Sequence, residues 1–188
     1  MDYKELLEKR RAIRDYHDKA VPLEVVREII QDSIKAPNAG NRQIWNFVVI
    51  NNKARMNELS VLNKKAILAG IEANPNSPMK IYEARLRDES YNVFYNAPCL
   101  VYITGPAKAP TLAADCALVA AYFMLAATAR DLGTCWVAHG GFIRDPQVLQ
   151  DLGLPEGHQL VVPIILGYPK AIPPMPERNA PKILNTIS

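Results

Sequence analysis

Residues 111–132, Thr-Leu-Ala-Ala-Asp-Cys-Ala-Leu-Val-Ala-Ala-Tyr-Phe-Met-Leu-Ala-Ala-Thr-Ala-Arg-Asp-Leu, make a helix-length stretch that is apolar nearly all round. A helix at a protein surface keeps a polar face, so this pattern demands burial on more than one side. Its uninterrupted part, Cys116 to Ala127, is about a dozen residues against the roughly 20 needed to cross a bilayer. It therefore predicts a central core helix and no transmembrane segment. The alanines Ala113, Ala114, Ala117, Ala120 and Ala121 let a neighbouring helix approach closely. That neighbour could belong to the same chain or to a second subunit. Gly133 is expected to close the helix.

The rest of the chain must supply what packs on that helix. With 188 residues, 49% hydrophobic and 22% charged, and no Ser/Gly-rich linker, one globular domain over 1–188 is expected despite the 15 prolines. The net charge of +3 gives no strong case for nucleic acid or an anionic membrane. Met1-Asp2-Tyr3-Lys4-Glu5 has no apolar signal segment behind it, which points to a cytoplasmic protein. Cys99, Cys116 and Cys135 are scattered in apolar runs, and His17, His139 and His158 are equally dispersed. Neither a disulfide framework nor a metal site is suggested.

Residues 3–11 read as a short helix ending in Arg10-Arg11-Ala12-Ile13-Arg14. In a second helix Pro22 suits the first turn and Val26, Ile29, Ile30 and Ile34 recur at helical spacing; Pro37 stops it. A turn-rich loop, residues 37–47, then enters Phe47-Val48-Val49-Ile50, read as a buried strand. Asn52 can cap a helix over 53–73, 80–91 reads as a polar amphipathic helix, and Cys99–Thr104 as a second buried strand. Residues 134–138 are extended, Asp145-Pro146 starts another helix, and Leu160–Leu166 forms a strand. Pro163 inside that run donates no ladder hydrogen bond and predicts a sheet edge or a bulge. Alternating strands and helices admit a doubly wound sheet, but the irregular spacing, long helices and tail make α+β at least as fitting. The Pro173-Pro174-Met175-Pro176 stretch reads as an arm that wraps rather than packs.

Arg10, Arg11 and Arg14 form a cationic group whose planar forks suit phosphate oxygens. No G-x-G-x-x-G or G-x-x-x-x-G-K-[ST] loop is present, so side chains must grip any phosphate, and Arg178 in the tail is a candidate to join them. Gly140-Gly141 offers bare backbone that a flat ring could approach; Asn38 and Asn41 can supply amide donors and acceptors. No G-x-S-x-G elbow, H-E-x-x-H or Cys–His pair supports hydrolysis, and a cofactor that carries the chemistry fits better.

Three ordered motifs resemble the nitroreductase family of FMN-dependent oxidoreductases. Arg10-Arg11-Ala12-Ile13-Arg14 is similar to the family's R-R-S-x-R phosphate motif, Pro37-Asn38-Ala39-Gly40-Asn41-Arg42-Gln43 to its P-S-A-x-N-x-Q loop, and Gly167-Tyr168-Pro169 with Arg178 to its closing G-Y-P…R. The resemblance implies an α+β fold with a central, mainly antiparallel sheet flanked by helices. It also implies an intertwined homodimer with FMN at the interface and a C-terminal arm, 170–188, wrapped over the partner. By that resemblance Arg10, Arg11, Arg14 and Arg178 hold the FMN phosphate. Pro37, Asn38, Ala39 and Asn41 reach the flavin from the other subunit, and Ala138, His139, Gly140 and Gly141 lie along the ring with the Gly140 N–H near flavin N5. Ala12 departs from the family's hydroxyl residue, which removes one hydrogen bond of about 0.5–1.5 kcal/mol; Asn38 and Ile44 depart from serine and proline.

The activity so implied is hydride transfer from NADH or NADPH to the flavin and then, in a ping-pong sequence, to a nitroaromatic, quinone or similar small-molecule acceptor. No side chain need act as acid, base or nucleophile, and His139 shapes the pocket. The alternatives are a divergent member that fragments flavin or dehalogenates reductively, and a non-catalytic flavin-binding protein. Acceptor choice is expected to lie around residues 60–95.

Overall fold

Apolar β-branched runs supply a single antiparallel sheet, shown by a computed structural model that describes residues 2–187. Its strands are β1 (Asn46–Ile50), β2 (Cys99–Pro106), β3 (Gly133–Trp136) and β4 (His158–Gly167), in the spatial order β1-β2-β4-β3. Every pairing is antiparallel. Successive residues of a strand face opposite sides, and in β2 both sides are buried. Val101 and Ile103 join one cluster with Phe123 and Ile29, while Leu100 and Tyr102 join another with Met56 and Leu59. The fold is α+β, with helices on both faces of the sheet. The doubly wound alternative is excluded because no strands of the sheet run parallel.

The helices are α1 (Tyr3–Lys9), α2 (Leu23–Ser33), α3 (Lys53–Ala73), α4 (Glu83–Arg87), α5 (Leu112–Thr128) and α6 (Pro146–Asp151). Local caps start several of them. Asn52 Oδ1 accepts the Arg55 N–H at 2.9 Å to open α3, and Asp145 accepts from Gln147 N at 2.9 Å to open α6. Cys116, Val119, Ala120, Phe123 and Ala127 of α5 are buried, whereas Leu118 and Tyr122 on its other side are about 40% exposed. The all-apolar helix is thus covered on one face by α2 and the sheet and left bare on the other.

Four local expectations change. The helix 111–132 ends at Thr128, and Asp131, not Gly133, takes the left-handed turn (φ 59°) while Leu132 N–H bonds back to the Ala127 carbonyl. Gly133 instead begins β3, where a Cβ would stand 2.7 Å from Ile13 Cγ1. The expected helix 80–91 shrinks to a 3-10 turn, Pro78–Tyr82, followed by α4. β1 lies at the sheet edge and is only partly buried, apart from Ile50.

Pro163 is the fourth. Its strand is an inner one, between β2 and β3, which overturns the expected edge, while the expected bulge is present two residues away, where the β2–β4 register shifts between Val162 and Leu160. The Pro163 carbonyl accepts the Val137 N–H at 2.9 Å; an ordinary residue would return a bond to the Val137 carbonyl, because hydrogen-bonded antiparallel pairs exchange both. Proline cannot. The Val137 carbonyl accepts the Gly140 N–H at 2.8 Å instead. Pro163 therefore ends the β3–β4 ladder and releases the chain into the turn that follows.

The arm from Ala171 to Ile187 is exposed throughout, with Ile183, Leu184 and Ile187 at least 80% accessible. Among the described residues no helix is long and apolar enough to cross a membrane, and no group of His, Cys, Asp and Glu is placed to hold a metal.

Candidate functional site

After α1 the chain becomes extended and lies beside β3, with Ala12 bridging Thr134 and the Ile13 N–H bonding the Thr134 carbonyl at 2.9 Å. Ile13 packs where Gly133 has no side chain. This seam sets the arginines. Burial raises the Cys135 thiol pKa, and the charges of Arg14 and Arg10 oppose it, so both cations act on the same end of β3. Arg11 does not join them. It lines a second cavity, of about 470 Å³, with His17, Thr128, Leu132 and Tyr168; its Nη1 bonds the Arg10 carbonyl at 2.6 Å and its Nε is buried without a partner.

Arg14 opens on a cavity of about 440 Å³ whose floor is residues 135–139, the end of β3 and the start of the 3-10 turn Ala138–Gly141. The turn is fixed from several directions. Tyr102 Oη donates to the Gly140 carbonyl at 2.8 Å, and Arg144 Nη1 donates to the Gly141 carbonyl at 2.7 Å. The buried amide of Asn63, on α3, accepts the Phe142 N–H at 2.8 Å and donates to the Leu59 carbonyl at 2.8 Å. A Cβ on Gly140 would be 2.6 Å from Phe94 Cε1 and 3.1 Å from Pro163 Cβ, so its bareness serves packing. Its N–H, expected near flavin N5, is already given to Val137. Gly141 is less crowded, with its nearest would-be contact at 3.7 Å.

The opposite wall comes from residues for which the sequence suggested a region but no names. Tyr82, Arg85, Tyr91 and Tyr95 line it. Tyr82 meets the His139 ring edge-on at 4.8 Å between centroids, and Tyr91 Oη lies 3.4 Å from His139 Nδ1. Burial, then the Arg85 charge, lowers the His139 pKa, and burial and Tyr95 push the Tyr91 hydroxyl up to about 12. Both are therefore uncharged near neutral pH. The available signal was the i, i+4 pair Tyr91 and Tyr95 beside Arg85, a pattern that surface helices also show.

Pro37, Asn38, Ala39 and Asn41 do not line this cavity. Their loop sits at the start of α5, where the Ala39 N–H bonds Asp115 Oδ1 at 3.1 Å. Asp115 is buried and also accepts from Thr111 Oγ1 at 2.8 Å. The sequence reading missed it, although a lone carboxylate in an apolar helix is the signal that could have found it. Gly40, Asn41 and Gln43 all have positive φ (59°, 53° and 49°), and Asn38 Oδ1 closes the loop on the Gln43 N–H at 2.9 Å. Arg178 lies on the exposed arm and does not line the cavity.

A sheet with helices on both faces, carrying an arginine-bearing, aromatic-walled cavity at the end of the edge strand β3, defines an α+β protein suited to a flat anionic ligand. The sequence model of the nitroreductase family matches residues 7–168. A nitroreductase from Bacteroides fragilis, solved with bound FMN, superposes with a TM-score of 0.82 at 27% identity over 100% of both chains. An Escherichia coli K12 protein provisionally assigned as the NAD(P)H nitroreductase YdjA is 26% identical over 178 residues, 90% of each chain. The 5,6-dimethylbenzimidazole synthase of Rhodospirillum rubrum is 27% identical over 185 residues, 92% of this chain and 84% of that one. The chain belongs to the nitroreductase family.

Proposed function

We propose that the protein is an FMN-dependent oxidoreductase that takes hydride from NADH or NADPH and delivers it to nitroaromatic, quinone or similar electron-poor acceptors, the two substrates using one cleft in turn. The observation that carries this reading is Arg14, which lines the cavity running from Cys135 to His139, with Arg10 close enough that both cations oppose the effect of burial on the Cys135 thiol. Neither guanidinium has an ion-pair partner among the described residues, in contrast to Arg87 and Arg130, which are held by carboxylates at 2.8 and 2.7 Å. Two unneutralised guanidinium forks at one end of a ring-sized slot fit a phosphate on a flat ring. When bound, FMN would supply the hydride chemistry, so that NAD(P)H, a proton and a quinone give NAD(P)⁺ and a hydroquinone.

Arg10 and Arg14 grip the phosphate, joined by Arg178 from the arm. Arg11 is left out of this set because it faces the other cavity. The Ala138–Gly141 turn forms a rigid wall along the ring, with its position held by Tyr102 and Asn63 rather than by the ligand. The Cys135 thiol stays protonated through burial, and neutral His139 shapes the pocket. No nucleophile is called for.

A homodimer completes the site in this reading. Support comes from three surfaces of the single protomer: the bare α5 face with Leu118 and Tyr122, the exposed apolar arm, and the 37–41 loop that is well ordered by Asp115 yet contributes nothing to its own protomer's cavity. On this view Pro37, Asn38, Ala39 and Asn41 serve the flavin whose phosphate the other chain holds. Arg178→Ala is then expected to weaken FMN retention and leave the dimer intact; unchanged FMN affinity would remove the arm from the site.

The deciding measurement is a visible spectrum of purified protein before and after anaerobic NADH. A flavin band that bleaches supports the reading, and colourless protein that takes up no FMN on reconstitution ends it. The likeness to a 5,6-dimethylbenzimidazole synthase favours one second reading, flavin fragmentation. Recovery of intact FMN after sustained NADH oxidation counts against it.

A further inference from the structure

Arg85 and Arg87 stand two residues apart on α4 in opposite electrostatic settings. Arg87 is neutralised by Glu83 at 2.8 Å and Glu72 at 3.2 Å. Arg85 has no carboxylate partner among the described residues. Its guanidinium lies 4.2 Å from the Tyr91 ring centroid and 5.6 Å from that of Tyr95, and its one hydrogen bond, to Tyr95 Oη, is 3.4 Å long. Arg14 approaches the same Tyr95 ring at 5.7 Å.

Two arginines thus share one aromatic platform, and no Asp or Glu lines the cavity they face. Tyrosine faces orient a guanidinium but do not neutralise it. The charge on this wall is left for a ligand to match. If the cofactor phosphate is taken by Arg10 and Arg14, Arg85 remains, and it stands toward the ring end. Tyr91, on which it stacks, reaches His139 Nδ1 at 3.4 Å, and His139 belongs to the turn along which the flavin ring would lie. Tyr82 and His139, edge to face at 4.8 Å, add an aromatic wall on that side.

We propose that Arg85 is a specificity-determining residue that favours electron-poor aromatic acceptors bearing a carboxylate. This rests on the flavin reductase reading above. A planar fork paired with a carboxylate gains two parallel hydrogen bonds, whereas a neutral amide of the same shape gains neither the charge nor the second acceptor.

The test uses FMN-loaded protein and two matched acceptors, 4-nitrobenzoate and 4-nitrobenzamide, with wild type, Arg85→Gln and Arg85→Glu. The expected result is a wild-type kcat/KM ratio favouring the acid that falls about tenfold in Arg85→Gln, mainly through KM, and further in Arg85→Glu. Amide reduction should fall much less than acid reduction, and FMN should be retained, which separates a lost carboxylate contact from general damage to the cavity. A ratio unmoved in both variants overturns the proposal. So does FMN loss in Arg85→Gln, which would assign the residue to the cofactor phosphate, or slowed bleaching, which would assign it to the pyridine nucleotide. Wild-type protein that takes up no FMN overturns the underlying reading along with this one, whereas an unmoved ratio in a competent flavoprotein overturns this one alone.

Discussion

Two of the three 3-10 turns among the described residues, Ala39–Asn41 and Ala138–Gly141, are similar in composition and stabilised in different ways. The second has no residue at positive φ and is fixed by tertiary bonds from Tyr102 to Gly140 and from Asn63 to the flanking Phe142, with a local bond from Arg144 and Pro163 packed beneath. The first relies on its own backbone: three residues at positive φ, an Asn38–Gln43 closure, and one tertiary bond, to Asp115. A turn that walls its own protomer's cavity is preorganised by its own core. A loop that faces outward is shaped locally and pinned at one point, which suits a group that serves a neighbouring molecule.

The largest expected effect breaks the second turn. Asn63→Leu removes the acceptor of the Phe142 N–H and should cost about 2–3 kcal/mol in urea unfolding, since a buried donor is orphaned. It should also loosen FMN by displacing the 138–141 wall. A stability within about 0.5 kcal/mol of wild type would show that the turn holds itself.

Asp115→Ala strikes the single anchor of the first turn. About 2 kcal/mol is expected, because the Ala39 N–H and Thr111 hydroxyl both lose their acceptor. Asp115→Asn keeps one acceptor oxygen and should recover most of the FMN affinity. Equal losses in both variants would mean that the charge matters and not the hydrogen bond to the loop.

Gly40→Ala tests the local shaping directly. The site has room, with nothing nearer than 3.9 Å to a new Cβ, so the cost of about 1 kcal/mol comes from φ 59° alone. The same change at Gly140 meets Phe94 instead and should cost more.

The smallest effect is a pH dependence confined to the second turn. Burial and Arg85 hold the His139 pKa below its ordinary 6.5, so as pH falls through that value the unfolded chain binds the proton first. The contribution is therefore complete above 6.5 and declines below it. Wild type should lose more stability than His139→Gln between about pH 7.5 and about pH 5.5. Parallel losses would show that His139 is not the group responsible.

Much of the fold was legible in the sequence because its signals are local. The caps Asn52 and Asp145, the apolar runs of β1, β2 and β4, and the all-apolar α5 each depend on a few neighbouring residues. The site was legible in part. Arg14 lines one cavity with Ala138 and His139 and Arg11 lines another, since the bridge of Ala12 to Thr134 and the packing of Ile13 against Gly133 settle which way each arginine faces. Tyr82, Arg85, Tyr91 and Tyr95 carried no motif; they become cavity residues through the way the 78–96 segment packs.

Pro163 marks the boundary most clearly. The sequence determines that its nitrogen cannot donate, and from that alone a sheet edge is the natural expectation. Tertiary structure decided otherwise by placing the Pro163 strand inside the sheet with Val137 opposite, so that the carbonyl the proline cannot satisfy is taken by Gly140 as the chain turns away. What a residue lacks is written in the chain; which group makes up for it depends on what the fold brings alongside, because a buried polar atom must find its partner wherever packing provides one.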